Sequence, residues 1–264
     1  MRRMRWLMCA FIVAGCAQGA AAADMPLLRG SNTFDVGPQV RWDGVYFGAQ
    51  VGYSVAGADF TNATGSLSAL ITGLPFLTTT STPLGTDDKP SAHFGGFVGY
   101  NTVWDGAVLG VEANYNHYNA QMTSTNIIGG SYLAADGNTY PYSANGTANV
   151  RVTDVGTFRV RGGWATGNFM PYGFVGLAVA RAEIDRSVTA TFSPPLGLPA
   201  PPAVTFGTSQ TGQFAYGWTA GVGLDIALMS NFFLRAEYEY IQFGDFQQVN
   251  IHMHNARVGA AVKF

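Results

Sequence analysis

The stretch AVLGVEANYNHY, residues 107–118, decides the fold class. Apolar residues stand at its odd positions, for example Leu109 and Val111, while polar residues or glycine stand at most even positions, for example Glu112 and Asn114. Alternation with a period of two places these two groups on opposite faces of an extended chain. The stretch is therefore predicted to be a β-strand with one apolar face.

Seven other segments carry the same alternation. It is clear at 216–226, 232–242 and 254–264, and weaker at 42–54, 91–103, 151–164 and 171–182. The connections are short at 104–106, 165–170 and 227–231, and long at 55–90, 119–150, 183–212 and 243–253. Short turns and long loops that alternate in this way predict an all-β fold, an eight-stranded antiparallel up-and-down barrel.

Composition excludes several classes of protein. The chain is 47% hydrophobic, 13% aromatic and only 11% charged, whereas a soluble domain is about 25% charged. Disordered chains have few aromatic residues and much charge, so disorder is excluded. A formal net charge of −2 and a content of two lysines leave no basic surface for phosphate groups. No nucleic acid partner is expected.

The first 23 residues have the features of a secretory signal. Three arginines precede an apolar run, and a series of alanines ends before Asp24. Removal of this segment takes both cysteines with it, so the exported protein has no disulfide. An alternative is that Val13-Ala14-Gly15-Cys16 is a lipobox with Cys16 acylated. We predict a signal peptide at 1–23, a periplasmic segment at 24–41 and the barrel at 42–264.

The barrel is predicted to cross a membrane. No segment after the signal reaches the roughly 20 consecutive apolar residues of a membrane helix. The repeated Trp, Tyr and Phe of the apolar face are too bulky for the interior of eight strands, which argues against a soluble barrel with an apolar lumen. Turned outward, strands of about 11 residues tilted by roughly 40° span about 28 Å, close to the apolar band of outer-membrane barrels. The short turns then face the periplasm and the four long loops face the exterior.

Aromatic residues at the strand ends are predicted to form two girdles at the lipid headgroups. The girdle on the short-turn side contains Trp42, Trp104 and Trp164, with Phe232 and Phe264, and the girdle toward the long loops contains Tyr53, Tyr115, Trp218 and Tyr240.

The opposite face places charged residues in the lumen. They are Glu112, Arg159, Arg161, Asp225, Arg235, Glu237, Glu239, Arg257 and Lys263. Buried charges are costly unless they are paired, so we predict an ion-pair network that fills the lumen. Glu237 and Glu239 are predicted to be salt-bridged, which argues against acid–base catalysis by this pair. The alternative is that some pairs separate transiently and pass small solutes, which would make the barrel a narrow diffusion channel.

The segments WDGVYFGAQVGY, FGGFVGYN, LGVEANY, GTFRVRGGW, YGWTAGVGLDIAL, FFLRAEYEY and RVGAAVKF carry a family resemblance. Together they resemble the eight-stranded outer-membrane immunogenic proteins of alphaproteobacteria, which share the barrel architecture of the OmpA and OmpX type. The resemblance implies a surface-exposed structural protein of the cell outer membrane, with Phe264 as the terminal aromatic that the barrel-assembly machinery reads. Some relatives bind haem or act in adhesion, but the loops at 67–85 and 192–206 depart from the family pattern.

The leading hypothesis is a non-enzymatic structural barrel in contact with outer-membrane lipid and lipopolysaccharide. Its loops are expected to contact a host surface or a small ligand. We predict no catalytic, cofactor or metal site. His252 and His254 have a spacing that could serve a metal or haem, but histidines at a barrel rim are usually solvated. A lipid-modifying enzyme would need a nucleophile paired with a histidine on the outer face, and the strands contain no His-x-Ser pairing.

Overall fold

A computed structural model describes residues 40–63, 84–133, 136–193, 197, 202–244 and 249–264. The strands are β1 Gly44–Asp59, β2 Thr86–Trp104, β3 Ala107–Leu133, β4 Thr139–Trp164, β5 Phe169–Phe192, β6 Val204–Met229, β7 Phe232–Phe243 and β8 Asn250–Lys263. Each strand pairs antiparallel with its sequence neighbours, and β1 pairs with β8. The predicted eight-stranded antiparallel barrel is confirmed.

Two parts of the domain prediction lie outside the described residues, namely the signal peptide at 1–23 and nearly all of the segment at 24–41. The described part of the chain contains no helix long and apolar enough to span a membrane.

Tight turns close one end of the barrel. The β2–β3 turn is Asp105-Gly106, and both residues have positive φ, 50° and 81°. A type I′ hairpin needs this conformation at both central positions, and Asp-Gly adopts it at little cost. We call this end of the barrel the short-turn end and the opposite end the loop end.

The strands at the loop end are longer than predicted. Residues 119–150 were predicted to be a long loop, but β3 continues to Leu133 and β4 begins at Thr139. Most of the predicted loop at 183–212 is likewise strand, because β5 reaches Phe192 and β6 begins at Val204. The long-loop prediction is wrong over these residues. We call the strand segments 119–133, 139–152, 183–192 and 204–213 the upper extension, and the rest of the sheet the lower barrel.

The two parts of the sheet have opposite faces. In the lower barrel the outward residues of β3 are apolar, as at Leu109 and Val111, and the inward ones are polar, as at Glu112. In the upper extension the same strand turns Gln121 outward and buries Met122. An apolar exterior suits lipid, whereas a polar exterior over an apolar interior suits water. The membrane surface therefore lies near residues 115–118 of β3.

Irregularities in the ladder fall near this level on neighbouring strands. The register shifts between His117 and Ala120 in the β3–β4 pairing. In the β4–β5 pairing the register shifts between Val152 and Asp154, and in the β5–β6 pairing it shifts between Ala182 and Ile184. An added residue on one strand bends the sheet and increases its local twist. These bulges lie where the strands leave the lower barrel and enter the upper extension.

Candidate functional site

Charged side chains from five strands meet inside the lower barrel. Eight of the nine predicted network residues take part, and each is almost completely buried. They are Glu112 on β3, Arg159 and Arg161 on β4, Asp225 on β6, Arg235, Glu237 and Glu239 on β7, and Arg257 on β8. Because four arginines meet four carboxylates, the formal charges of the group cancel. We call this group the lumenal network.

Glu112 is the centre of one half of the lumenal network. Its Oε1 accepts from Arg159 Nε at 2.9 Å, and its Oε2 accepts from Arg161 at 3.2 Å and Arg235 at 2.7 Å. The Tyr46 hydroxyl also donates to Oε2, at 2.6 Å. A carboxylate with this many donors is fully compensated for the loss of water.

Glu237 and Glu239 organise the other half. Arg159 Nη2 donates to Glu237 at 2.7 Å, and Arg257 donates to Glu237 at 2.6 Å and to Glu239 at 2.7 Å. Thr219 and Asn255 donate to Glu239 at 2.9 Å and 3.2 Å. The Tyr172 hydroxyl donates to Glu237, so each of the two carboxylates has charged and neutral donors. This arrangement suits a structural ion pair better than a proton-transfer pair.

Aromatic rings lie against the arginines. The guanidinium carbon of Arg159 is 4.0 Å from the ring centre of Phe174, and that of Arg161 is 3.7 Å from the ring centre of Tyr172. Arg235 lies over Phe97 at 4.1 Å. Stacking on aromatic faces stabilises guanidinium groups that have lost water. These aromatic partners were not predicted from the sequence, although the outward positions of Val175 and Leu177 imply that Tyr172 and Phe174 point inward.

Lys263 does not join the lumenal network. Its side chain is buried, and its Nζ has no hydrogen-bond partner among the residues that the structure describes. The Nζ lies 5.9 Å from the ring centre of Trp42. The prediction for Lys263 is wrong in this respect because the residue is six positions beyond Arg257, at the short-turn end, out of reach of the carboxylates.

Trp42 also lies inside the barrel and not in a girdle. It is only 3% exposed, its ring centre is 6.0 Å from that of Phe233, and its Nε1 donates to the carbonyl of Gly167 at 3.2 Å. The girdle prediction for Trp42 is wrong because the chain crosses the mouth of the barrel just before β1 begins at Gly44. Trp42 thus covers the lumen at the short-turn end.

The remaining aromatic residues of the predicted girdles lie on the outer wall. The exposed fractions are 83% for Trp104, 58% for Trp164, 50% for Trp218, 57% for Tyr53 and 56% for Tyr115, and Tyr240 is half-buried. The terminal Phe264 is 74% exposed and stacks on Phe47 at 5.5 Å between ring centres.

Toward the loop end, the side chains that fill the barrel interior change in character twice above the lumenal network. A polar layer comes first, in which Gln50 Nε2 donates to Asn116 at 2.8 Å and His93 stacks on Tyr118 at 4.6 Å between ring centres. An apolar cluster then fills the loop end, with Met122 and Met253 completely buried. From the short-turn end upward, the interior is therefore aromatic, charged, polar and finally apolar.

Two polar clusters lie on the outer wall near the membrane surface. Asp154 accepts from the Tyr115 hydroxyl at 2.6 Å and contacts His117 Nδ1 at 3.0 Å, an arrangement that the sequence analysis missed. On β8, His254 Nδ1 lies 2.7 Å from the Tyr238 hydroxyl. The part of the chain that the structure describes has no group of three or more His, Cys, Asp or Glu that could hold a metal ion.

Comparison with known proteins agrees with this architecture. The model of the outer membrane protein beta-barrel domain matches residues 7–264. The 31 kDa outer-membrane immunogenic protein of Brucella melitensis is 29% identical over 281 residues, which cover 99% of this chain and 100% of the relative. The 25 kDa outer-membrane immunogenic protein of Brucella ovis is 25% identical over 87% of this chain and 82% of the relative.

Among solved structures, Neisserial surface protein A (NspA) aligns with 84% of this chain and 100% of that chain, at 17% identity and a TM-score of 0.37. The predicted resemblance and the outer-membrane location are both confirmed by the relatives and the family model. Because the family model covers nearly the whole chain and the strands close into a barrel, this chain belongs to the family of outer-membrane β-barrel proteins.

Proposed function

We propose that this chain is a sealed structural barrel that carries the upper extension above the membrane, where the extension and its loops contact a host surface or a ligand. The observation that carries the sealed state is the lumenal network. Its carboxylates and arginines are completely or almost completely buried and bonded to each other across the barrel. No enzymatic role is included in the proposal.

The chemistry of the lumen supports a closed barrel. An ion that crossed it would have to separate contacts such as Arg159–Glu237 and Arg257–Glu239 at 2.7 Å. Breaking a buried pair leaves an uncompensated charge, which costs about 3–5 kcal/mol for each pair. The apolar cluster at the loop end adds a second barrier, because ions lose hydration there without gaining partners.

The outer wall supports the display of the upper extension. Most outward side chains of this part are polar, among them Gln121, Arg151 and Ser209, although Ile127 and Leu133 are exposed as well. With the short turns in the periplasm, as in other barrels of this class, these strands stand in the extracellular water. A sheet that projects from the membrane presents its surface and edges to molecules outside the cell.

Single-channel conductance of the refolded protein in a planar bilayer tests the sealed state. We expect no regular current steps from the wild-type barrel. The double variant Arg159→Ala, Arg161→Ala is expected to conduct, because it removes two of the four cations of the network. Lys263→Ala is the matched control, since it removes a lumenal cation that lies outside the lumenal network and has no hydrogen bond among the described residues, and it is expected to stay silent.

Steps from the wild-type protein that scale with salt would overturn the sealed barrel and favour the narrow diffusion channel. Folding of each variant is checked by the shift in electrophoretic mobility on heating. Protease cleavage of intact cells within 202–213 tests the display separately, and complete resistance of these residues would contradict it.

A further inference from the structure

Among the residues that the structure describes, the upper part of β6 has a strand neighbour on one side only. Its residues 204–210 pair with β5, from Ala190↔Val204 to Ile184↔Gln210. On the other side, β7 pairs with β6 only from Gly217 downward, and one further bond joins the Gly244 amide to the Tyr216 carbonyl at 2.9 Å. Within the described residues no strand pairs with that other side from Val204 to Gln213. We call this side the β6 edge.

The backbone groups that face the β6 edge can be identified. In a strand, the amide and carbonyl of one residue point toward one neighbouring strand, and those of the next residue point toward the other. The side chains alternate between the two faces with the same period, so all residues with outward side chains point their backbone groups to the same side. Tyr216 has an outward side chain and points its carbonyl toward β7. The outward residues Thr205, Gly207 and Ser209 therefore direct their amides and carbonyls to the β6 edge.

The sequence of the β6 edge lacks the residues that usually protect an edge against pairing, and no described strand covers it. Natural sheets protect edges with charged residues, proline or coverage by other chain segments. Residues 204–213, VTFGTSQTGQ, contain no charge and no proline. The side chains of Thr205 and Ser209 are small and exposed, so they do not obstruct an approaching backbone. An uncharged edge of this length is a template for another strand.

The inner face beside the edge is incompletely covered. Val204 and Phe206 face inward but are only half-buried, and Phe206 packs against Val188 and Ala190 of β5. A strand added to the β6 edge would place every second side chain on this inner face. Apolar side chains at those positions would cover Phe206, and polar ones at the alternate positions would face water.

We propose that the β6 edge binds an extended peptide segment of an extracellular protein by adding it to the sheet as an antiparallel strand. The segment is uncharged and alternates apolar and small polar residues. This inference rests on the proposed display of the upper extension, and it names the class of partner. Binding through main-chain hydrogen bonds, with side-chain selection on one face, is an established mode of peptide recognition.

A second copy of the chain fits this edge less well. In one membrane both copies have the same orientation, so β6 runs toward the membrane in each. Two such edges can meet only in parallel, and parallel pairing is slightly less stable for each residue. A free peptide has no such restriction and can take the antiparallel direction.

Hydrogen exchange and peptide binding test the proposal. The probe is a fluorescent ten-residue peptide that alternates valine and threonine between terminal lysines, added to the full chain refolded in detergent micelles. In the free protein, the amides of Phe206 and Thr208 are expected to be protected, and those of Thr205, Gly207 and Ser209 to exchange rapidly. The peptide should bind saturably and protect the latter three amides.

Ser209→Pro is the decisive variant. It removes an amide that faces only the β6 edge, and proline is tolerated at such edge positions. We expect peptide affinity to fall about tenfold or more, since one main-chain bond is lost and the ring blocks the approaching strand. Ser209→Ala keeps the amide and should bind like the wild type. Phe206→Ser should weaken binding while it leaves all edge amides in place.

Equal binding by Ser209→Pro and the wild type would overturn the proposal, as would an absence of protection at Thr205, Gly207 and Ser209 in the presence of the probe. Protection of these amides that rises with protein concentration without peptide would identify a second copy as the occupant, which also contradicts it. The proposed function is judged independently, because the conductance and protease measurements need no peptide.

Discussion

Arg159 of β4 and Glu237 of β7 form an ion pair of 2.7 Å across the lumen, between strands that are not neighbours in the sheet. Glu237 also pairs with Arg257 of β8, and Arg159 with Glu112 of β3. The last two pairs join neighbouring strands, and the Arg159–Glu237 pair connects them across the lumen, between strands that backbone hydrogen bonds do not join. A slip in strand register would turn these charges toward lipid, so the lumenal network acts as a device that specifies the register.

Removal of one arginine from the lumenal network should strongly destabilise the barrel. Arg235 contacts Asp225 at 2.9 Å and Glu112 at 2.7 Å, so Arg235→Ala removes one charged partner from each of two buried carboxylates and leaves the lumenal network with one uncompensated negative charge. We expect the free energy of unfolding to fall by about 3–5 kcal/mol. Urea titration of the protein in lipid vesicles, followed by tryptophan fluorescence, measures this loss.

Lys263→Ala is the control for that measurement, because Lys263 is a buried cation that has no hydrogen bond in the described structure and contacts no carboxylate of the lumenal network. Its loss should cost much less than the loss of Arg235. Similar costs for the two variants would contradict a specific contribution of the ion pairs.

Gly223 lies in the wall of the barrel beside the lumenal network. A methyl group added there should displace residues of the network. A Cβ there would overlap the ring of Tyr172 and lie 2.9 Å from Glu237 Cγ. Tyr172 donates its hydroxyl to Glu237, so both partners must move. Gly223→Ala is expected to cost about 1–3 kcal/mol of unfolding free energy.

Gly129→Ala is the matched comparison, since the nearest heavy atom to its Cβ is 3.9 Å away. It should be neutral or add about 0.4–1 kcal/mol, because alanine restricts the unfolded chain. The same urea titration compares the two alanine variants, and an equal loss in both would show that backbone propensity, and not the overlap with Tyr172, sets the cost.

The positions of the tryptophans predict different exposure to lipid. Trp218 is 50% exposed on the outer wall, whereas Trp42 is 3% exposed and lies inside the barrel mouth. In variants that keep a single tryptophan, vesicles of brominated lipid should quench the fluorescence of Trp218 strongly and that of Trp42 weakly. Trp104, 83% exposed at the short-turn end, serves as a second quenched control. Strong quenching of Trp42 would mean that its side chain faces lipid, as the girdle prediction requires.

The sequence predicts the lower barrel well, because there one rule of alternation holds along each strand. Leu109 and Val111 face outward and Glu112 faces inward, as the period of two requires. Eight of the nine predicted lumenal charges therefore lie together. Their individual partners could not be predicted, since contacts such as Arg159–Glu237 depend on the closure of the barrel and on its diameter.

The upper extension was missed for a physical reason. On β3 the apolar residues change phase beyond Tyr115, so that Tyr118, Ala120 and Met122 face inward. The alternation continues, but its polarity is reversed where lipid is replaced by water. A search for strands whose odd-numbered residues stay apolar therefore ends near Tyr115, and the rest of β3 is taken as a loop. The change of phase is the signal that marks the membrane surface.

The β3–β4 turn at the tip of the upper extension should respond to acid. The Tyr140 hydroxyl donates to Asp136 at 2.7 Å and the Asn138 amide donates at 2.9 Å, and these bonds lower the pKa of Asp136 below its usual 3.8. A lowered carboxyl pKa stabilises the folded turn at pH values above the unfolded pKa of about 4, and this contribution is lost as the pH falls through the folded pKa. Carbon NMR of the Asp136 carboxyl measures the titration, and Tyr140→Phe should raise its pKa toward the ordinary value. A distant change, Tyr216→Phe, should leave it unaltered, and an unchanged pKa in Tyr140→Phe would mean that this hydroxyl does not hold the turn.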